Sequence, residues 1–311
     1  MTITAQLEKR GQTHMRWASV VTVLACASAA WLPDLSLERQ MVFVGLAVGL
    51  LGFPHGALDP LVDAIRGAEK GRHRLLRFLA WYSAAALAVV LLWAASAPLG
   101  LALFLGTSAL HFGLGDAPLA RGQSAWRRWL RVVAHGAAPI ILPAAMHAGD
   151  VSEVFGWLLS VPGASLEPWI TDARPWVLAG WSGCVVAGYS GSETSATALR
   201  LGLLELLLLA VAFVVLPPLL SFAVYFCAWH SVRHLITVDA VLGRDLRARG
   251  LVVGLGVLAA TGVMLSLGHL AASDQASIES LARTLFVALA ALTPPHMLVT
   301  SALAQRVATS D

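Results

Sequence analysis

Long apolar runs are the feature that most constrains how this chain can fold. A helix needs roughly 20 mostly apolar residues to cross about 30 Å of hydrocarbon, and runs of that length recur along the whole sequence. Only 13% of the 311 residues are charged, about half of the roughly 25% that is usual for a soluble domain. The sequence therefore predicts an all-α, polytopic transmembrane helix bundle and argues against a soluble or disordered protein.

The apolar runs predict about ten spans, within a range of eight to ten. Pro217 and Pro218 separate two of them, because proline cannot continue a helical hydrogen-bond ladder. We find no repeat or linker, so residues 1–311 are predicted to form one integral-membrane domain whose longest loop lies around residues 148–174. The predicted spans are residues 17–33, 40–57, 78–96, 98–116, 130–147, 175–190, 199–216, 218–237, 251–270 and 282–303.

The basic residues predict how the bundle is oriented. With ten spans and a cytoplasmic N-terminus, 18 of the 21 Lys and Arg fall in cytoplasmic segments, and the other three are Arg39, Arg174 and Arg283. This asymmetry is the one that the positive-inside rule requires. We therefore expect a multi-pass protein of the inner membrane with both termini in the cytoplasm. The formal net charge of +3 gives no reason to expect nucleic acid as a partner. Residues 1–31 also resemble a cleavable signal peptide, an alternative that N-terminal sequencing tests.

Histidines inside the predicted spans are the strongest candidates for chemistry, because ionisable groups in a membrane are costly. His230 and His234 have an i, i+4 spacing that puts both imidazoles on one helix face. His55, His111 and His296 lie on three other predicted spans, and all five are expected in the cytoplasmic half of the bilayer. Imidazoles without a cysteine ligand suit iron, zinc or copper, and the pattern alone does not choose among these metals.

Two carboxylates closely follow histidines in the sequence. Asp59 comes four residues after His55, and Asp116 comes five residues after His111. A metal-ligating histidine usually donates its second N–H to a carboxylate or carbonyl. Each aspartate could therefore orient the histidine of its own motif, or it could instead cap a helix end or pair with an arginine.

Glu205 stands alone among leucines, where a carboxylate needs a partner. It is interpreted as a partner of a ligand histidine, with a salt bridge to Arg233 as the structural alternative. Glycines beside the histidine motifs are expected to let helices approach closely; these are Gly52, Gly56, Gly113 and Gly115.

Taken together, these motifs resemble those of the Brp/Blh family, the bacteriorhodopsin-related protein and its homologues, which are membrane β-carotene 15,15′-dioxygenases. The matching elements are Pro-His-Gly-Ala-Leu-Asp at 54–59, His-Phe-Gly-x-x-Asp at 111–116 and Tyr-Phe-x-x-Trp-His-Ser-x-Arg-His at 225–234. A weaker element is Pro-Pro-His-Met at 294–297. The resemblance covers most of the chain.

The resemblance implies cleavage of the central double bond of β-carotene by O2 to give two retinal molecules. It also implies a non-haem Fe(II) and no catalytic side chain beyond the metal centre, and it is compatible with a functional link to a rhodopsin. His135 stands where the family pattern suggests arginine. His296 is not among the four ligands that the resemblance implies and is an additional candidate for a place at or next to the metal. The implied metal ligands are His55, His111, His230 and His234.

An apolar polyene has no polar group that a protein could hydrogen-bond, so its binding site must select the substrate by shape and apolar contact. The candidate lining residues next to the histidines are Phe53, Phe112, Tyr225, Phe226 and Trp229. Two other functions stay open at this point. A histidine-rich membrane hydroxylase or desaturase would hold two irons per chain, and a metal or lipid transporter would have no product.

Overall fold

The computed structural model describes residues 3–29, 35–64, 72–118, 124–190, 196–243 and 278–309. Every regular element in these ranges is helical, which confirms the predicted all-α class. The predicted span 251–270 lies outside the described residues. The helices are α1 (Ile3–Ala29), α2 (Leu37–Ala47), α3 (Phe53–Gly56), α4 (Asp59–Asp63), α5 (Arg72–Ala95), α6 (Ala97–Asp116), α7 (Ala125–Met146), α8 (Ala148–Leu159), α9 (Glu167–Tyr189), α10 (Ala196–Val215), α11 (Pro218–Ala223), α12 (Ser231–Leu242) and α13 (Ile278–Thr309).

Five of the described helices have the length and apolar composition needed to cross a membrane, so the chain is a membrane protein. Large apolar side chains on their outer faces are exposed, among them Leu87 at 55% and Leu91 at 59% on α5. Exposed leucines on a long apolar helix are suited to lipid contact. The predicted number of ten spans is not confirmed. The five segments are Arg72–Ala95, Ala97–Asp116, Ala125–Met146, Thr197–Val215 and Ile278–Ser301.

Two of the other predicted spans are interrupted by π-helical segments, which have wider turns than an α-helix. The first π segment is Val48–Gly52, inside the predicted span 40–57. The second is Val224–His230, inside the predicted span 218–237. The first π segment ends just before the histidine motif at 54–59, and the second overlaps the histidine motif at 225–234.

The predicted long loop around residues 148–174 is wrong, because α8 and the start of α9 occupy most of it. Val151, Val154 and Leu158 bury one face of α8 at helical spacing. Asp150 and Glu153, next to the first two of these residues, hide this period in the sequence. Helix α8 ends at Leu159, and Ser160 follows it with a left-handed φ of 61° that closes the helix. A short 3-10 turn at Gly163–Ser165 leads into α9.

The chain forms two compact units, which interleave along the sequence. Unit 1 consists of Met1–His14, Gly45–Phe104 and Ser231–Asp311. Within it, α13 packs against α5, α4 and α12. Six buried apolar side chains form the core of this unit; they are Leu58, Val62, Phe78, Val238, Val299 and Leu303.

Unit 2 consists of Met15–Val44 and Leu105–His230. Helix α7 is its centre and packs against α9, α10, α8 and α11. Helices α6 and α7 approach so closely that a Cβ on Gly136 would lie 1.8 Å from the carbonyl oxygen of Ala109, and one on Gly113 would lie 2.1 Å from that of Val132. Glycine is therefore required at both positions, which confirms the predicted close packing at Gly113.

Candidate metal centre

Three histidines of unit 1 come together although they are far apart in sequence. His55 follows the first π segment, His234 lies on α12 and His296 lies on α13. The ring centroids of His55 and His296 are 4.9 Å apart, those of His234 and His296 are 5.1 Å apart, and those of His55 and His234 are 5.6 Å apart. His55 and His296 are buried. The three imidazoles thus form a compact triangle.

Hydrogen bonds fix the orientation of two of these rings. His55 Nδ1 donates to the carbonyl oxygen of Gly52, the last residue of the first π segment, and the hydroxyl oxygen of Ser231 lies 3.3 Å from the same nitrogen. His296 Nδ1 lies 2.8 and 2.9 Å from the two carboxylate oxygens of Asp59. Carbonyl and carboxylate oxygens only accept, so both rings carry their proton on Nδ1 and an electron pair on Nε2.

The carboxylate of Asp59 has a second donor in unit 1. The hydroxyl of Tyr82, on α5, donates to Asp59 Oδ2 at 2.8 Å. Asp59 is only 1% exposed, and a buried carboxylate needs such donors to offset its lost hydration. Tyr82, Asp59 and His296 therefore form a continuous hydrogen-bonded chain that reaches the histidine triangle.

Unit 2 holds a histidine pair with the same kind of support. Nε2 of His111 and Nε2 of His230 lie 2.9 Å apart, so the two rings point their far nitrogens at each other. His230 Nδ1 lies 3.1 Å from Asp116 Oδ2, and the hydroxyl of Tyr225 donates to the same oxygen at 2.6 Å. All four side chains are buried.

The second π segment explains how Tyr225 and His230 reach one carboxylate. In an α-helix, residues five positions apart lie about 140° apart around the axis, because each residue turns the chain by about 100°. In a π turn the hydrogen bond closes between residues i and i+5, so residues that far apart return to nearly the same side. Tyr225 and His230 have this spacing within Val224–His230.

Aromatic rings surround the imidazole of His230 inside unit 2. The Phe226 ring is stacked on it at an interplanar angle of 14°, and the Phe112 ring meets it edge-on with centroids 4.8 Å apart. The ring of Phe112 also meets that of Tyr225 at 5.2 Å. Such packing holds the imidazole and keeps water away from it.

Trp229 has a different role from its neighbours. It is 0% exposed, and its indole N–H donates to the hydroxyl of Thr22 on α1 at 2.8 Å. Among the five predicted lining residues, Phe53 is partly exposed, whereas Phe112, Tyr225, Phe226 and Trp229 are buried.

A separate polar group in unit 2 contains His135. His135 Nε2 hydrogen-bonds with the hydroxyl of Tyr189 at 2.6 Å, and the guanidinium of Arg131 lies 5.8 Å from the centre of the Tyr189 ring. Buried Glu205 interacts electrostatically with Tyr189. Arg131 also donates to the carbonyl of Gly188 at 2.5 Å. These contacts join α7, α9 and α10.

One predicted pairing of a carboxylate with a histidine is wrong. In the part of the chain that the structure describes, Asp59 hydrogen-bonds to His296 rather than to His55 of its own motif. Asp116 hydrogen-bonds to His230, a partner that the sequence did not predict. Sequence reasoning also missed Tyr82. The small number of tyrosines is the signal that could have found it. The chain has only three, and the hydroxyl of each hydrogen-bonds to a buried aspartate or histidine.

The spacing of the imidazoles fits metal coordination. Two imidazoles bound to one divalent ion at about 2.1 Å have ring centroids about 4.6 Å apart at a right angle and about 5.6 Å apart at 120°. The centroids of His111 and His230 are 4.6 Å apart, and the unit 1 distances fall within the same interval. Nitrogens bound at right angles lie about 3.0 Å apart, close to the separation of the facing Nε2 atoms in unit 2.

Comparison with known proteins points to one family. The family profile described as Beta-carotene 15,15'-dioxygenase matches residues 46–304. The chain is 28% identical to the Beta-carotene 15,15'-dioxygenase of uncultured marine bacterium 66A03, over 81% of this chain and 90% of that protein. It is 31% identical to the Probable beta-carotene 15,15'-dioxygenase Blh of Halobacterium salinarum, over 84% of this chain and 83% of that protein. No solved structure matches.

Proposed function

Because the chain belongs to the Beta-carotene 15,15'-dioxygenase family, we propose that it cleaves the central double bond of β-carotene with O2. The products are two retinal molecules with one oxygen atom in each, so the reaction needs no external reductant. The proposed cofactor is a non-haem Fe(II) whose ligands are His55, His111, His230 and His234. The observation that carries this proposal is the facing Nε2 pair of His111 and His230, 2.9 Å apart among buried aromatic rings.

The donor set agrees with a divalent transition metal. Neutral imidazoles suit iron, zinc and copper alike. The proposed reaction disfavours zinc because O2 must be activated by a redox-active centre, and the family resemblance implies iron rather than copper. When bound, such an iron supplies an electron-rich position at which O2 reacts with the polyene. Four protein ligands would leave coordination positions for this chemistry.

The side chains of this protein have mainly orienting and shielding roles in the proposal. Asp116 holds the proton of His230 on Nδ1, which directs the electron pair of Nε2 away from the carboxylate. The rings of Phe112 and Phe226 keep water from that imidazole. We propose Phe53, which is partly exposed, as the aromatic residue that contacts the polyene. Tyr225 and Trp229 use their polar atoms for support within the protein.

The membrane setting suits the substrate. β-Carotene dissolves in lipid, so it can reach a site among apolar helices from the side, and exposed leucines such as Leu87 and Leu91 face that lipid in the proposal. We propose that the protein lies in the inner membrane with cytoplasmic termini. Supply of retinal to a rhodopsin is the proposed use of the product.

The test is a reaction of the detergent-solubilised protein with β-carotene, Fe(II) and O2, with retinal measured by chromatography. We expect retinal formation, about one iron per chain, inactivation by a chelator and recovery with Fe(II) but not with Zn(II). Alanine at any of the four proposed ligands should lower retinal formation by more than about 100-fold.

His135→Gln serves as the matched control, because His135 is equally buried but bonds to Tyr189. It should keep both iron and activity. Two irons per chain would instead support a hydroxylase-like oxidase. Metal uptake by vesicles without any product would support a transporter.

A further inference from the structure

The same hydrogen-bonded arrangement is found in both units. In unit 2 a tyrosine hydroxyl and a histidine Nδ1 meet on the buried carboxylate of Asp116. In unit 1 the hydroxyl of Tyr82 and Nδ1 of His296 meet in the same way on the buried carboxylate of Asp59. In unit 2 the histidine so held is His230, a proposed metal ligand, which raises the question of what its counterpart His296 does.

The geometry of unit 1 gives His296 the same position relative to other ligands. Its ring centroid lies 4.9 Å from that of His55 and 5.1 Å from that of His234. Both distances fall between the roughly 4.6 and 5.6 Å expected for imidazoles that share one ion. Ring planes that meet at 82° and 68° allow their nitrogens to converge.

The contact with Asp59 also prepares His296 for coordination. With the proton held on Nδ1, the electron pair lies on Nε2, on the far side of the ring from the carboxylate. A carboxylate behind a ligand histidine raises the basicity of the coordinating nitrogen. A divalent ion in front of the ring would in turn offset the charge of Asp59, which is 1% exposed and has two donors that carry no permanent charge.

We propose that His296 is a metal ligand, so that unit 1 supplies three imidazoles, those of His55, His234 and His296. Asp59 and Tyr82 are positioning residues that act through His296. This inference rests on the proposed function, since it concerns the same metal, and it adds a ligand to the four that the family resemblance implies.

The test uses metal binding rather than turnover. The full-length protein is stripped of metal in detergent and titrated with Co(II) alone, while the visible absorption bands of the ion are recorded. These bands report the number and arrangement of ligands. The variants are His296→Ala, His296→Gln, Asp59→Asn and Tyr82→Phe. Tyr189→Phe is the matched control, because its hydroxyl also bonds to a buried histidine, His135, outside the triangle.

For His296→Ala and His296→Gln we expect a changed Co(II) spectrum and affinity lowered by more than about 100-fold. Asp59→Asn should lower affinity by about 10–100-fold, and Tyr82→Phe should lower it less, with the spectrum of the wild type. Tyr189→Phe should match the wild type. Asp59→Asn and Tyr82→Phe keep the imidazole, so they carry the test even where His296→Ala does not fold.

A His296→Gln protein that binds Co(II) with wild-type affinity and spectrum would overturn the inference while leaving the proposed function intact. Failure of the proposed function has a different signature, namely a wild-type protein that binds neither Co(II) nor Fe(II). The two failures are therefore distinguishable in one titration series.

Discussion

Replacing Tyr225 by Phe removes a single hydroxyl from the support of His230 and leaves the aromatic ring in place. That hydroxyl donates to Asp116 Oδ2 at 2.6 Å in a buried setting. A hydrogen bond to a charged group contributes about 1.5–3 kcal/mol. Loss of the direct carboxylate partner of a ligand histidine costs about 10–100-fold in metal affinity. Because Tyr225 acts one step further away, we expect about 3–10-fold weaker Fe(II) binding.

The assay is an anaerobic Fe(II) titration of the metal-free protein in detergent, in competition with a coloured chelator. Retinal formation is measured in parallel at limiting and at saturating Fe(II). Tyr225→Phe should lose activity at limiting iron and regain most of it at saturating iron, because the hydroxyl positions a ligand and does not touch the substrate.

Tyr189→Phe provides the comparison, since its hydroxyl also bonds to a buried histidine at 2.6 Å, in a group that is not part of the proposed metal centre. It should lose stability but bind Fe(II) as the wild type does. Wild-type affinity in Tyr225→Phe, or an equal loss in Tyr189→Phe, would refute the reasoning that the carboxylate transmits the effect of the hydroxyl to His230.

Two further predictions concern packing within unit 2. Gly136→Ala should destabilise the protein by about 3 kcal/mol or more in a thermal or detergent unfolding assay, because the new Cβ would meet the Ala109 carbonyl at 1.8 Å, whereas Gly180→Ala, with nothing within 4 Å, should be tolerated. Trp229→Phe should cost about 1–3 kcal/mol through the lost hydrogen bond to Thr22, whose hydroxyl still donates to the carbonyl of Ala18, and through the cavity left by the smaller ring. Fe(II) affinity should not change; a lowered Fe(II) affinity would instead place Trp229 in the metal centre.

The histidines of the candidate site could be predicted because their signal is local. An imidazole inside an apolar run is costly wherever the run folds, and the i, i+4 spacing of His230 and His234 needs only a helix. Their burial and grouping follow from the need to avoid lipid. The proline pair at 217–218 likewise ends a helix for reasons contained in two residues, and α10 and α11 are indeed separated there.

The carboxylate partners could not be predicted in this way. Asp59 bonds to a histidine 237 residues away, and Asp116 bonds to one 114 residues away. Spacing along a motif favours the near histidine, whereas packing between distant helices decides the actual partner. Tyr82 carries no motif at all, and only the tertiary contact with Asp59 gives its hydroxyl a role.

Helix α8 shows the opposite error, in which a regular element was interpreted as a loop. Its apolar residues follow a helical period, but Asp150 and Glu153 interrupt the hydrophobicity that marks a membrane span. Length and apolar content identify spanning helices, while shorter amphipathic helices need their burial pattern, which only the structure supplies.

The π segment at Val224–His230 has a consequence for how this stretch can change. Tyr225 and His230 lie five positions apart and share Asp116 because the wider turn returns them to one side of the helix. Deleting a single residue such as Cys227 would leave them four positions apart, a spacing that an ordinary α-turn also places on one face. A one-residue deletion at this point is therefore expected to be tolerated, and a relative with its tyrosine and histidine at i, i+4 is expected to carry an uninterrupted α-helix here.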